Sequence, residues 1–104
     1  MGAIINRIPR AYRVLADYIV SGAGTTAYNG NYLEKGTHGK EPYYTLDGGS
    51  SYFLFFDEVD DRWELATSLG GKADYYNNDK SRPSEGEWAA GEGDKPAPTV
   101  TAGP

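Results

Sequence analysis

The sequence predicts an all-β domain, either a small antiparallel β-sandwich or a flattened barrel of short strands, with an extended N-terminal arm. The chain of 104 residues contains 14 glycines and 6 prolines, and both residues are unfavourable inside helices. It also contains 9 tyrosines against 3 phenylalanines, and tyrosine suits a strand with one solvated face. Turn signals recur about every ten residues, as expected for consecutive antiparallel strands.

Three segments are predicted along the chain. They are an N-terminal arm at 1–11, a β-domain at 12–95 and a Pro-rich C-terminal tail at 96–104. Pro9 breaks regular structure in the arm, because proline cannot donate a backbone hydrogen bond. The tail either lies along the sheet through Val100 or acts as a linker.

Within the β-domain, strands and turns alternate. "AYRVLADYIV" at 11–20 has the period-two pattern of a strand. "SYFLFFD" at 51–57 is the most hydrophobic run and predicts a central strand, with "RWELAT" as its partner. Asn29-Gly30 predicts a hairpin turn, and "EKGTHGKEP" at 34–42 predicts a second turn region. "ADYYNN" and "EWAAG" are typical of two further short strands.

Charge and composition exclude several functional classes. The net charge of −5 disfavours tight binding to nucleic acid, which needs a basic surface. The absence of cysteine excludes disulfides, thiolate catalysis and cysteine-based metal sites. No apolar run approaches the roughly 20 residues of a membrane-spanning helix, and the N-terminus lacks the pattern of a signal peptide. We therefore expect neither nucleic acid nor membrane as a partner.

An ordered pattern runs from residue 19 to residue 100. An N-G-x-Y turn is followed by a G-x-P-x-Y-type step, an aromatic strand ending in Asp, a tryptophan strand, a Tyr-Tyr pair, a late tryptophan and "PAPTV". The positions are Asn29, Gly30, Tyr32, Gly39, Pro42, Tyr44, Asp57, Trp63, Tyr75, Tyr76, Trp88 and 96–100. This set resembles a small Gly/aromatic-rich β-module of bacteriophage structural proteins, in head-decoration, tail and fibre-associated chains. It departs at Lys40 and Glu41, which give two residues before the proline instead of one.

The resemblance implies a non-enzymatic virion structural protein without cofactors. The preferred hypothesis is a capsid-associated head-decoration or accessory protein. Such a protein acts through contacts with other virion proteins and with copies of itself. Such a protein is made in the host cytoplasm and ends in the phage particle. The alternatives are a tail- or fibre-attachment module and a carbohydrate-binding module, for which a glycan is the ligand.

Residues 1–13 supply the candidate partner contacts. The isoleucines of the arm are costly to leave in water, which favours docking on a neighbouring subunit over a frayed terminus. The arginines near them carry no acidic neighbour before Asp17, and an acidic hairpin of another copy is their proposed partner. The predicted contact residues are Ile4, Ile5, Arg7, Ile8, Arg10 and Arg13.

Aromatic residues supply a candidate ligand or contact face, made of Tyr43, Tyr75 and Trp88. Adjacent strand residues point to opposite faces of a sheet. We therefore expect one tyrosine of Tyr43-Tyr44 and one of Tyr75-Tyr76 to be buried and the other exposed. These aromatic rings have two possible roles: they pack in the core, or they stack on a sugar ring of a bound glycan.

A metal or catalytic site is not predicted. His38, the single histidine, is expected to be exposed and inert, because neither a triad nor a multi-histidine site forms around it within one chain. "DEVDDRWE" at 57–64 is expected to be a solvated hairpin tip. Contact with a basic partner and Ca²⁺ binding are the alternatives, but the segment lacks the glycine and the terminal glutamate of an EF-hand loop.

Carboxylate pairs for glycoside hydrolysis could form at two places. Asp57 with Glu64, and Glu85 with Glu87, provide the residue types that such chemistry requires. The two carboxylates must face each other across a cleft, which a domain this small and rich in turns rarely builds. The sequence therefore predicts no catalytic residue.

Overall fold

The computed structural model describes residues 16–79 and 81–104. They form one sheet of eight antiparallel strands that curves into a nearly closed barrel. The all-β prediction is confirmed in its barrel form. Within these residues, no helix has the length and apolar character needed to cross a membrane. The strands are β1 (Tyr18–Ser21), β2 (Gly30–His38), β3 (Glu41–Leu46), β4 (Phe53–Asp57), β5 (Arg62–Ala66), β6 (Tyr75–Asn77), β7 (Trp88–Ala90) and β8 (Thr99–Ala102).

The order of strands leaves one opening in the barrel. The sheet runs β7-β6-β5-β4-β3-β2-β1-β8, so that β7 and β8 are its two edges. We call the gap between these two strands the seam. Trp88 on β7 and Val100 on β8 belong to the same core, so the two edges approach each other across the seam. The tail lies along the sheet, since Val100 pairs with Val20 of β1.

One face of the sheet, the inner face, packs the main core. Alternate residues of successive strands turn toward it, as the period of two requires. They include Tyr32 on β2, Tyr44 on β3, Leu54 on β4, Leu65 on β5 and Tyr75 on β6, all of them buried. This agrees with the prediction that "SYFLFFD" forms a central strand.

The outer face of the central strands is also buried. Phe55 points away from the main core, yet its side chain has no exposed surface. The ring of His38 packs edge-on against it, with 5.4 Å between ring centroids. The backbone N–H of Lys40 donates to Glu58 Oε2 over 2.9 Å. The tip of the β2–β3 hairpin therefore contacts β4 and the β4–β5 turn.

Of the two turn predictions in the first half of the domain, that at 34–42 is correct only for its centre and that at Asn29-Gly30 is wrong. At 34–42, the chain turns only at Gly39 and Lys40, and the residues on either side belong to β2 and β3. Gly36 lies at a shift of register, so this glycine serves a bulge instead of a turn. Asn29 has a φ of −74° and precedes β2 without forming a two-residue hairpin. Its side-chain oxygen instead accepts a hydrogen bond from Ala23 N at 2.9 Å.

The first strand is shorter than the sequence predicts over the residues that are described. It begins at Tyr18, after Ala16 and Asp17. The remainder of the predicted strand, at 11–15, lies outside the described residues, as does the predicted arm at 1–11.

Candidate functional site

Residues 57–64, here called the acidic hairpin, comprise the end of β4, the turn and the start of β5. Asp57 shapes the turn, because its Oδ1 accepts hydrogen bonds from Val59 N at 2.9 Å and Asp60 N at 3.2 Å. Asp61 takes a φ of +60°, which aspartate tolerates better than most residues. Local chemistry therefore fixes the path of the chain between the two strands.

The acidic hairpin brings three carboxylates together. One oxygen from each of Asp57, Asp60 and Glu64 lies within 4.8 Å of the others. Arg62 partly neutralises them, with its Nε donating to Glu64 Oε2 at 2.8 Å and its guanidinium 3.6 Å from Asp60 Oδ2. The same guanidinium lies 4.2 Å from the centre of the Tyr76 ring, a cation–π contact that holds Arg62 against the sheet.

Glu64 is the unusual member of this group. Only 1% of its surface is exposed, because it pairs with Phe55 and Tyr76 on the outer face of the sheet. Its Oε1 is buried and has no hydrogen-bond partner among the described residues. Burial raises the pKa of Glu64 by more than Arg62 lowers it, and the nearby Asp57 also raises it. The cluster is therefore suited to retain a cation or a proton.

The predicted solvated tip is correct for part of the segment and wrong for Glu64. The turn residues 58–61 are exposed. The structure does bring Asp57 and Glu64 together, with the Glu64 carboxyl buried on the outer face of the sheet. Glu85 and Glu87 are both exposed.

His38 is half-buried instead of exposed, because its ring covers Phe55. It borders an open cavity of about 490 Å³ beside the acidic hairpin. Gly39, in the same wall, has a φ of +67°, and a Cβ there would stand against the Glu58 carboxylate. Asp57 lines this cavity too, so that the acidic hairpin has an approach from solvent.

The predicted aromatic face does not form. Tyr75 is fully buried in the main core, and its hydroxyl donates to Asp94 O at 2.6 Å. Trp88 is 9% exposed, and its indole N–H donates to Pro83 O at 2.9 Å. Tyr43 is half-buried on the outer face of β3, opposite to the other two rings. These positions lie on opposite sides of one sheet, so no sugar ring can contact all of them.

The prediction that one tyrosine of each Tyr-Tyr pair is buried is correct, but the other tyrosine of each pair is not fully exposed. Tyr44 and Tyr75 are buried, whereas Tyr43 and Tyr76 are half-buried. The buried hydroxyls hold the loops of the barrel. Tyr28 donates to Asp74 Oδ2 at 2.5 Å, across 46 residues of sequence.

The seam contains a second open cavity, of about 470 Å³. Its walls come from β7 with the loop before it, and from β8 with Pro98. Sequence reasoning missed this site, because the two walls are distant in sequence and meet only when the sheet curves. The lining residues are Ser84, Gly86, Glu87, Trp88, Pro98, Thr99, Val100 and Thr101.

The predicted partner-contact residues of the arm lie outside the described residues. They are Ile4, Ile5, Arg7, Ile8, Arg10 and Arg13. The first described residues lie beside the end of β8, where Gly103 N donates to Asp17 O at 2.9 Å. The described part of the chain therefore starts at β1, the strand next to the β8 edge of the sheet.

Comparison of the chain with protein-family models, with curated proteins and with solved structures finds no match in any of the three. The functional inference therefore rests on the geometry of the acidic hairpin and the seam. The resemblance of residues 19–100 to phage structural modules remains a hypothesis from sequence.

Proposed function

We propose that this chain is a non-enzymatic structural module that acts through protein–protein contacts. From the resemblance of its sequence, we place it among capsid-associated proteins of a phage particle, with tail or fibre attachment as the alternative position. Its partners are other virion proteins and copies of itself. The observation that carries the proposal is the seam, where two strand edges face an open cavity.

The unpaired edge of β8 supports strand addition as the mode of contact. Gly103 N donates to Asp17 O, and backbone groups alternate in direction along a strand. The N–H groups of Ala102 and Val100 therefore point away from β1 and toward the seam. An extended segment entering the seam meets these donors, as in other cases where a peptide extends a sheet. Since β7 has 3 residues and β8 has 4, the segment that fits is short.

The arm is the segment that we assign to this seam, in a neighbouring copy. Ala16, which follows the predicted arm and strand start, lies directly beside the end of β8. The isoleucines of the arm gain from burial in an apolar gap, and Val100 and Trp88 supply apolar lining in the seam. Many copies around a symmetry axis would turn weak individual contacts into a stable layer.

The chemistry of the described residues also favours a role without catalysis. His38, the only histidine, packs against Phe55 instead of facing a nucleophile. Glu64, the carboxyl with a raised pKa, is buried without the access that a substrate needs. A carbohydrate-binding role loses its main support, because Tyr75 is in the core.

Light scattering coupled to size-exclusion chromatography tests this proposal on the full chain. We expect the full chain to form an oligomer and a chain lacking residues 1–11 to be a monomer. Ala102→Pro removes a donor that faces the seam without removing a bond to β1, and we expect it to weaken the oligomer. Ala102→Ser keeps the donor and is the matched control.

A full chain that stays monomeric across concentrations would overturn self-assembly through the arm. An oligomer that survives both the deletion and Ala102→Pro would overturn the seam as the contact. If the monomer binds a glycan in a titration, carbohydrate binding replaces the structural role.

A further inference from the structure

We propose that the acidic hairpin binds a divalent metal ion, for which Ca²⁺ is best suited, through Asp57, Asp60 and Glu64. This site is independent of the seam and of the proposed role in assembly. The sequence pattern argued against it, because its spacing differs from an EF-hand loop and because Glu64 looked like a solvated strand residue.

The three carboxylates are close enough to share a single cation. One carboxylate oxygen from each of the three residues lies within 4.8 Å of the others. Ca²⁺ binds oxygens at about 2.3–2.6 Å, so that two ligands on opposite sides of the ion stand about 5 Å apart. Mg²⁺ binds at about 2.0–2.1 Å and demands a tighter octahedron. The three carboxylates therefore lie close enough to share one ion, and the less strict coordination geometry of Ca²⁺ favours it over Mg²⁺.

Glu64 supplies an independent reason to expect a ligand. Its Oε1 is buried and unpartnered among the residues described, and its side chain is only 2% exposed. Burying a carboxylate oxygen without a partner is costly. Oε2 is already held by Arg62 at 2.8 Å, and the Glu64 carboxylate lies in one cluster with those of Asp57 and Asp60. A cation placed among these carboxylates would satisfy it.

The charges balance for a divalent ion. The three carboxylates and the guanidinium of Arg62 leave two negative charges in the cluster. A divalent cation neutralises them, whereas the arginine alone does not. Arg62 is also held by the Tyr76 ring at 4.2 Å, so it need not leave when an ion enters.

The ion has a route to the site. Asp60 is exposed, and Asp57 lines the open cavity beside His38. The protein offers few ligands compared with the six to eight oxygens that Ca²⁺ prefers, and water would complete the shell. We therefore expect a weak site, with a dissociation constant on the order of 10⁻⁴–10⁻³ M, as in extracellular calcium modules.

Calorimetric titration of the full chain with CaCl₂ tests the proposal, after removal of divalent ions with a chelator and at constant ionic strength. We expect saturable binding, accompanied by a rise in Tm, and weaker binding of MgCl₂. Asp60→Asn changes an exposed side chain, so the fold is retained, and we expect affinity to fall at least about tenfold. Glu64→Gln should abolish binding. Glu85→Gln, an exposed acid far from the hairpin in sequence, is the matched control and should bind as the parent does.

Absence of binding to the full chain at concentrations about tenfold above the expected range would overturn the proposal. So would an equal response of the parent, Asp60→Asn and Glu85→Gln, because that result indicates general screening of charge. If stability responds to pH but not to CaCl₂, the cluster holds a proton instead of a metal ion, which also overturns the proposal.

Discussion

Both faces of the central strands contain buried residues, but they satisfy the polar groups of these residues differently. On the core side, buried tyrosine hydroxyls have partners: Tyr32 donates to Tyr28 O at 2.8 Å, and Tyr75 donates to Asp94 O at 2.6 Å. Trp63 Nε1 is the exception there. On the outer face, Thr45 Oγ1 and Glu64 Oε1 are buried without partners among the described residues. The core side is built for stability, and the outer face contains polar groups that stability alone does not explain.

The largest expected effect is the loss of stability caused by creating a cavity on the inner face. Leu65 is fully buried between β4 and β6, and we expect Leu65→Ala to lower the free energy of unfolding by about 2–5 kcal/mol. Leu33→Ala removes the same atoms from a half-buried position on the outer face of β2, and should cost less than about 2 kcal/mol. Urea denaturation measures both. Equal losses would contradict the division between the two faces.

The next effect concerns a hydroxyl of the core. Tyr28→Phe removes the hydrogen bond to Asp74 Oδ2 and leaves that half-buried carboxylate with one donor fewer. We expect a loss of about 1.5–3 kcal/mol, the range for hydrogen bonds to charged groups. Tyr43→Phe, on the outer face, is the control, and its effect should stay within about 0.5 kcal/mol. Thermal and urea unfolding measure both variants, and a neutral Tyr28→Phe would show that the tyrosine hydroxyls do not stabilise the barrel.

On the outer face, removing a polar group should stabilise the protein. Thr45 is fully buried, and its Oγ1 has no partner in the described part of the chain. Thr45→Val keeps the shape and removes the desolvated hydroxyl, so we expect a gain of about 1 kcal/mol. Thr45→Ser keeps the hydroxyl and removes a methyl group, and it should destabilise. A loss of stability in Thr45→Val would mean that the hydroxyl has a stabilising partner.

The smallest effect is a dependence of stability on pH. Since burial raises the pKa of Glu64 in the folded chain, that chain binds more protons than the unfolded one above the ordinary value of 4.5. The contribution of Glu64 to stability therefore falls as the pH rises through this window. The Glu64→Gln variant has no titrating group at this position. Its free energy of unfolding, relative to that of the parent, should therefore increase as the pH rises.

Urea unfolding in chelator between pH 4 and pH 8 measures that difference, with Glu85→Gln as control. A difference between parent and Glu64→Gln that stays constant over this range would contradict a buried, titrating Glu64. Repeating the series with CaCl₂ should reverse the trend for the parent and for Glu85→Gln, because the ion favours the charged carboxylate of Glu64.

Local pattern was sufficient for most strands and insufficient for several turns. The alternation in "SYFLFFD" and "RWELAT" predicts β4 and β5, since neighbouring side chains on a strand must face opposite ways. Gly36 misled the prediction, because a glycine in a bulge and a glycine in a turn look alike in sequence. Tyr75 and Trp88 misled it as well, since an aromatic residue at the end of a short strand is equally compatible with core and surface.

By itself, the sequence determined the class of fold, the order of strands along the chain and the acidity of the β4–β5 turn, because these depend on residues close together in the chain. Only the tertiary structure decided which carboxylate is buried and where the barrel stays open. Glu64 loses its solvent because Phe55 and Tyr76 flank it on neighbouring strands. The seam exists because β7 and β8 meet from opposite ends of the sheet. Both features result from the curvature of the sheet. A pattern of neighbouring residues in the sequence does not predict that curvature.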